Sequence, residues 1–361
     1  GQIKVRIVTI HRVLRYLALA VVLIALPFLI DAILGRAWVR IIDVALLFVM
    51  LALGLNIVVG YAGLLDLGYI AFFAVGAYAY ALLASPHFGM HWSFLTLLPL
   101  GALLAAVFGV ILGAPTLKLK GDYLAIVTLG FGEIIRIFMN NLNRPINITN
   151  GPQGITLIDP IQVGGLSLNK TYEFMGLTFA PVHSYYFVCL LCALATILIS
   201  LRLQNSRIGR AWVAIREDEL AASAMGINTR NVKLLAFAMG ASFGGVAGGL
   251  FASFQGFVSP ESFNLIDSIM VLSMVVLGGM GNVGGVVLGA VLLTTLPEAL
   301  RYIGPLQQQW LGQVYVDPSG LRLMLFGLVL VLVMVYRPAG LWPSKTRKRE
   351  LAGERKGPHR G

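Results

Sequence analysis

About ten stretches of this chain are each long and apolar enough to cross a bilayer, and that repetition limits the fold more than any other feature. A hydrocarbon core takes roughly 20 mostly apolar residues per helix. The stretches that meet this are 14–34, 38–60, 64–84, 92–114, 122–140, 184–203, 233–256, 265–281, 284–303 and 320–336. The reading is an all-α polytopic membrane protein, a bundle of about ten transmembrane helices. Hydrophobic residues are 58% of the chain and charged residues 12%, against roughly a quarter charged in a soluble domain. The 41 glycines agree, because helices in lipid associate through close packing of small residues. The least regular place is 278–285, reading GGMGNVGG, where the eighth and ninth stretches are either two spans or one broken, partly re-entrant unit.

Charge sets an expected orientation. The net charge is +11, and most of it lies in two short tails. The first 15 residues hold Lys4, Arg6, Arg12 and Arg15 and no acid, and 345–361 holds seven basic residues against two acids. With both termini cytoplasmic, 20 lysines and arginines fall on the cytoplasmic side and 6 outside, the bias expected of basic residues kept inside. Such tails also suit anionic lipid head groups. No folded basic domain is present to face a nucleic acid, so no nucleic-acid partner is expected. The first stretch reads as a span rather than a signal peptide, because no small-residue cleavage site follows Tyr16 to Ile30. The chain divides into a cytoplasmic tail (1–13), a transmembrane domain (14–342) and a basic cytoplasmic tail (343–361).

Chemistry-bearing clusters are sparse. Cys189 and Cys192 form a C-x-x-C inside an apolar run and read as two buried thiols on one helix. The five histidines are scattered, and no metal site or catalytic residue is expected. Two polar segments interrupt the spans: an external one at 141–183 and a cytoplasmic one at 204–232. Within the second, 210–225 has good helix formers and no proline, Gly226 fits a C-cap, and Asn228 starts a turn. One short amphipathic helix outside the membrane is expected there.

That segment carries a pattern. Glu219-Leu220-Ala221-Ala222-Ser223-Ala224-Met225-Gly226 resembles the coupling signature of ABC importers, E-A-A followed three residues later by G, with one extra residue after the Glu. Three further stretches make the resemblance specific: GLNIVVGYAGLLDLGY at 54–69, KGDYLAIVTLGFGEIIR at 120–136, and GRAW at 209–212 continuing to QGFVSPESF at 255–263 and VLGGMG at 276–281. RPAGL at 337–341 also fits. Over about 40–342 the chain resembles the LivM-type permeases of branched-chain amino acid ABC importers. Asp66 departs from the small polar or apolar residue expected at its position.

The resemblance implies a type II ABC importer permease-like bundle in a bacterial inner membrane, carrying leucine, isoleucine and valine. It implies a second, LivH-type permease, two ATP-binding subunits and a periplasmic substrate-binding protein as partners. ATP and Mg would be bound by the partner ATPases, and no cofactor is expected here. The chain has no G-x-x-x-x-G-K-[ST] loop, since Lys345-Thr346 follows Ser344, and glycine backbone is what cradles phosphates. The expected ATPase contact comprises Gly209, Arg210, Ala211, Arg216, Glu217, Asp218, Glu219, Ala221, Ala222 and Gly226.

Polar and glycine-rich positions inside the spans are the translocation candidates, because a charge at mid-bilayer costs at least about 2.5–3.5 kcal/mol and needs a partner or a role. Asn56 and Asp66 flank a glycine-rich break at Gly60 and Gly63, and broken helices present helix ends to a zwitterion. Gly278, Gly279, Gly281 and Asn282 are a second half of such a site, and Tyr69, Phe72 and Phe73 offer apolar surface. Each has a plainer reading as well: a turn with a first-turn acid, tight helix packing, and packed core. Glu133 and Arg136 are three apart on one helix face and are expected to pair structurally. A permease for urea, short amides or other amino acids shares the same span pattern. A secondary transporter does too, but would need no partner at 204–232.

Overall fold

The computed structural model describes residues 2–315, 317–345, 348, 349 and 351. The helices are α1 (Gln2–Leu34), α2 (Arg36–Leu55), α3 (Ile70–Leu83), α4 (Phe94–Thr116), α5 (Asp122–Asn141), α6 (Pro181–Gln204), α7 (Arg207–Glu217), α8 (Glu219–Ala224), α9 (Thr229–Gln255), α10 (Leu265–Gly278), α11 (Val283–Leu300), α12 (Ile303–Leu311) and α13 (Pro318–Tyr336). A π-helical turn, Asn56–Tyr61, extends α2. The protein is all-α and polytopic, with a helix in each of the ten expected stretches.

Among the described residues seven helices are long and apolar enough to cross a membrane, fewer than ten. The difference has local causes. The third stretch, expected from residue 64, becomes helical only at Ile70. Gly63 has φ 69°, the Asp66 carboxylate accepts from Gly68 N at 2.8 Å, and Thr128 Oγ1 accepts from Leu67 N at 3.0 Å. The 14-residue α3 is therefore about 21 Å long at 1.5 Å per residue. Helix α5 carries Asp122, Glu133 and Arg136 and is not one of the seven. In α13 the described apolar part is Met324–Tyr336. The segment 1–13, expected as a tail, continues α1 from Gln2, having no glycine or proline after residue 1 to interrupt it. The basic tail at 343–361 lies largely outside the described residues.

The doubtful region 278–285 resolves into two helices. α10 ends at Gly278, Gly279 and Gly281 turn the chain with φ 122° and 80°, and the Asn282 side chain caps α11 by accepting from Gly284 N at 3.2 Å. The two helices then pack closely on each other through Gly278, Gly285 and Gly289.

The core is formed by α2, α3, α4 and α9, with α6 and α11 against α2. α9 is the axis of contact and is rich in glycine and alanine along its buried face. Backbone meets backbone where Gly245 lies between Gly76 and Gly101. By contrast α1 exposes most of its apolar side chains, and its contacts include the Tyr186 hydroxyl donating to Leu23 O at 2.7 Å.

The connections sort onto two ends of the bundle. At one end lie 84–93, 141–180 and 255–264, with short hairpins pairing Ala84–Ser85 with Met90–His91, Gln162–Val163 with Leu166–Ser167, and Tyr172–Phe174 with Leu177–Phe179. They are tied together by Asp159 N to Ala84 O (2.7 Å), Ile158 N to Gly256 O (3.3 Å) and the Ile155–Val258 bridge. At the other end lie 62–69, 117–121, 204–228, 278–282 and 337–342, joined by Lys233 Nζ to Leu117 O (3.0 Å) and Leu341 N to Leu277 O (2.8 Å).

A side chain at Gly245 tests the backbone packing. Its Cβ would sit 2.5 Å from Gly101 O and 2.7 Å from Ala105 Cβ, so α4 and α9 must separate. Gly245→Val is expected to destabilise the fold by about 1–3 kcal/mol or more, as overpacking does. Thermal unfolding of the detergent-solubilised protein measures this; an unchanged midpoint would exclude the close approach.

A candidate coupling and translocation site

The polar segment 204–232 folds as two helices, not the single one expected over 210–225. The break is Asp218, held extended at φ −156° and ψ 109°. Its carboxylate Oδ1 accepts from Leu220 N at 2.9 Å and Ala221 N at 3.0 Å, so it caps α8 and ends α7. Aspartate competes for free N–H groups at a helix start, which makes it a better cap than interior residue. α7 begins on a similar device: Ser206 Oγ accepts from Gly209 N at 3.1 Å. Gly209 itself lies against Leu203 O, where no Cβ fits. α8 closes at Gly226, whose φ is 90°.

α7 is fixed to the bundle by its buried face. Trp212 is fully buried, donates Nε1–H to Val232 O at 2.8 Å, and stacks on Tyr61 with ring centroids 6.3 Å apart. One turn on, Arg216 donates from Nη1 to Gly60 O at 2.6 Å. Its aliphatic stem covers Gly63, where a Cβ would collide with it. Gly209, Trp212 and Arg216 therefore lie on the face toward the membrane domain. Arg210 and Ala211 occupy other faces, and Arg210 donates to Asn205 O at 2.9 Å.

Gly60 belongs to the π-helical turn. Widening the turn shifts the i→i−4 ladder and leaves the Gly60 carbonyl for Arg216. The same turn meets the α10–α11 corner: Asn56 Oδ1 accepts from Gly281 N at 2.9 Å. Gln204 Nε2 donates to Gly281 O at 3.3 Å. The chain after α13 joins this junction, with Trp342 N to Gly278 O at 2.9 Å and Asn282 Nδ2 to Trp342 O at 2.8 Å. Gly279 lies so close to 342–343 that a Cβ would stand 2.5 Å from Trp342 O.

Of the translocation candidates, Asn56, Gly60, Gly63, Gly278, Gly279, Gly281 and Asn282 thus meet at one junction, and Arg216 of α7 meets them there. The others lie apart. Asp66 is fully buried, with one carboxylate oxygen on Gly68 N and the other lacking a partner among the described residues. Tyr69 is fully buried and donates to Gly240 O at 2.7 Å, and Phe72 is fully buried beside it. Phe73 packs with Phe251 and Phe263 and lines a small cavity. Glu133 and Arg136 pair at 2.9 Å, each about one-third exposed.

Glu219 faces inward. It pairs with Lys120 at 3.3 Å and with Lys233, while Ala222 is buried between α8 and the bundle. Glu217 and Ala221 are exposed. Leu220 and Met225 project from α8 with 82% and 84% of their surface exposed. These two, together with Lys120 and Lys233, were not among the residues singled out from sequence. Leu220 and Met225 are the two large apolar residues in the otherwise small run 220–226, which is the signal for the first pair; for the lysines no local pattern exists, because the partners are far apart in the chain. No group of three or more His, Cys, Asp or Glu among the described residues is placed to hold a metal. Cys189 and Cys192 are free thiols, the first buried and the second half-buried.

The matching family profile, "Branched-chain amino acid transport system / permease component", covers residues 37–334, a stretch that contains the π-turn, the α7–α8 segment and the α10–α11 corner. The chain belongs to this permease family. It is 42% identical over 347 residues to the high-affinity branched-chain amino acid transport system permease protein LivM of Escherichia coli K12, covering 93% of this chain and 76% of the relative. It is 41% identical to the Salmonella typhimurium LivM, with 97% and 79% covered. A LivH permease of the same Salmonella is 25% identical over 299 residues, with 81% and 90% covered. No solved structure matches. The permease is an integral membrane protein.

The Glu219 clamp predicts a pH dependence. Burial pushes the carboxyl up, but the hydrogen bonds and charges of Lys233 and Lys120 outweigh it, leaving it below the usual range. A group held low stabilises the fold above its unfolded value and stops doing so as it becomes protonated. The clamp is therefore intact at neutral pH and lost as pH falls through the acid range. The solubilised permease is expected to lose thermal stability on acidification more steeply than Glu219→Gln, measured by unfolding midpoints from neutral pH down to about pH 2, through and below the usual carboxyl value of about 4.3. Parallel curves would rule the clamp out.

Proposed function

We propose that this chain is the membrane subunit of an ATP-driven importer of branched-chain amino acids, forming half of the translocation path beside a LivH-type permease. ATP and Mg bind to two separate ATPase subunits, and a periplasmic binding protein delivers leucine, isoleucine or valine. The protein sits in the bacterial inner membrane with both termini cytoplasmic, since the end of the bundle with 117–121, 204–228 and 337–342 bears most of the basic residues. The supporting comparisons are the names of the LivM and LivH relatives, which are permease proteins of one transport system.

The observation that carries the reading is the hydrogen bond from Arg216 to Gly60, with Leu220 and Met225 exposed on the next helix. Exposed apolar side chains beside charged groups suit insertion into a protein cleft, where burying each is worth about 1.5–3 kcal/mol. A push on α8 passes through α7 to a π-turn inside the membrane domain. A secondary transporter has no use for such an arrangement.

Two variants separate docking from transmission. Leu220→Glu with Met225→Glu is expected to prevent co-purification of the ATPase subunits. Arg216→Gln leaves them bound but lowers leucine uptake into proteoliposomes by at least about tenfold, because a short charge-assisted bond is lost. Unchanged uptake with the ATPases still bound in both variants would overturn the coupling assignment. Uptake of urea but not leucine would overturn the substrate.

A further inference from the structure

At the opposite end of the bundle, a cleft of about 510 Å³ opens between α2, α10 and α11. Its size is that of a small-molecule site, roughly 300–1,000 Å³. It is lined by charges of both signs: Arg40 from α2, Asp267 from α10, and Glu298 and Arg301 from the end of α11. A second, smaller cavity of about 140 Å³ shares Val44, Phe48 and Asp267 with it. That neighbouring cavity is further walled by Leu47, Leu51, Ile70, Phe73, Phe251 and Ser262, and is mostly apolar. A charged mouth thus leads to an apolar pocket, and Asp267 belongs to both.

The charges are not all neutralised by one another. Glu298 and Arg301 pair at 2.9 Å. Asp267 has no Lys or Arg in ion-pair range among the described residues; its backbone N–H is capped by Asn264 Oδ1 at 3.1 Å. Arg40 lies over the Phe254 ring at 4.7 Å and donates from Nη2 to Gln255 Oε1 at 2.7 Å. A guanidinium has five N–H donors, so this fixes the group while leaving donors for a carboxylate. Arg40 is about one turn inside the start of α2, close to the end of the span, where water and ligand reach it.

We propose that this cleft receives an amino-acid zwitterion from outside. Arg40 takes the α-carboxylate, Asp267 takes the α-ammonium, and the branched side chain enters the chamber between Phe48, Phe73 and Phe251. This rests on the amino-acid reading above and deepens it. Urea and short amides carry no pair of opposite charges, so they gain little here. A neutral amide forms neither ion pair at the mouth, and a charged side chain would have to enter the apolar chamber unpaired.

The test uses the whole transporter with its ATPase and binding protein in proteoliposomes. Arg40→Gln and Asp267→Asn are each expected to lower leucine uptake at low concentration by roughly tenfold or more, with the ATPase subunits still co-purifying. Met270→Cys, in the wall of the same cleft, supplies a readout that does not depend on removing a charge. A thiol reagent labels it above the background of the parent chain. Leucine with its binding protein slows labelling severalfold, and the same concentration of urea does not. If the parent carries leucine but labelling is equal with and without it, or both charge variants transport normally, the cleft is not the reception site. If the parent carries no leucine at all, the amino-acid reading itself fails first.

Discussion

A helix that is broken where protein buries it must find other partners for its backbone, and this permease rests on how that requirement is met between α2 and α3. Gly60, Asp66 and Gly68 are buried there, and each buried carbonyl or amide left unsatisfied costs about 1–3 kcal/mol or more. Gly60 O is satisfied by Arg216, Gly281 N by Asn56, Gly68 N by Asp66 and Leu67 N by Thr128. These donors and acceptors come from α7, α2, the break itself and α5. The break is thus possible only because several distant parts of the chain converge on it. It is also where α7 touches the membrane domain, through the Arg216–Gly60 hydrogen bond and the stacking of Trp212 on Tyr61.

The remainder of the bundle supplies contrast in stiffness. α3, α4 and α9 approach so closely through Gly76, Gly101 and Gly245 that they behave as one packed block. α2, α10 and α11 meet through turns and side-chain hydrogen bonds at one end and enclose a cleft at the other. Packed backbone resists sliding, whereas a cleft between helices changes volume when they tilt. The fold therefore sets α3, α4 and α9, packed backbone on backbone, beside helices that enclose a cleft at one end.

Much of this was legible in the residues. Ten apolar stretches and the polar interruption at 204–232 lead to a membrane bundle with a helical segment at one end, and Glu133 with Arg136 pairs as a three-residue spacing requires. What could not be read has a common physical cause. Whether 64–69 is helix or irregular depends on Thr128, 61 residues away, which accepts the bond that a helix would otherwise make. The division at Asp218 looks like ordinary helix in a propensity count and appears only when its carboxylate is seen on Leu220 and Ala221. Tyr69 and Phe72 have the composition of a substrate lining, yet their neighbours bury them completely. Arg40 and Asp267 share no local pattern in the chain and come together only where α2, α10 and α11 enclose one cleft.

The two ends of the protein are linked by the helices that build them. Arg40 and Asn56 are on one continuous helical run, 16 residues apart, or about 24 Å at 1.5 Å per residue. Asp267 and Glu298 lie at the outer ends of α10 and α11, while Gly281 forms the corner that joins their inner ends. Every helix that lines the cleft therefore terminates at the junction held by Arg216. A displacement of α7 acts on the Gly60 carbonyl and, through Asn56, on Gly281. Rigid helices carry such a displacement along their length as tilt, and the cleft walls must move with it. Under the proposed function, an ATPase closing on α8 would move the cleft walls without a relay of side chains through the core, which is compatible with a core packed backbone against backbone.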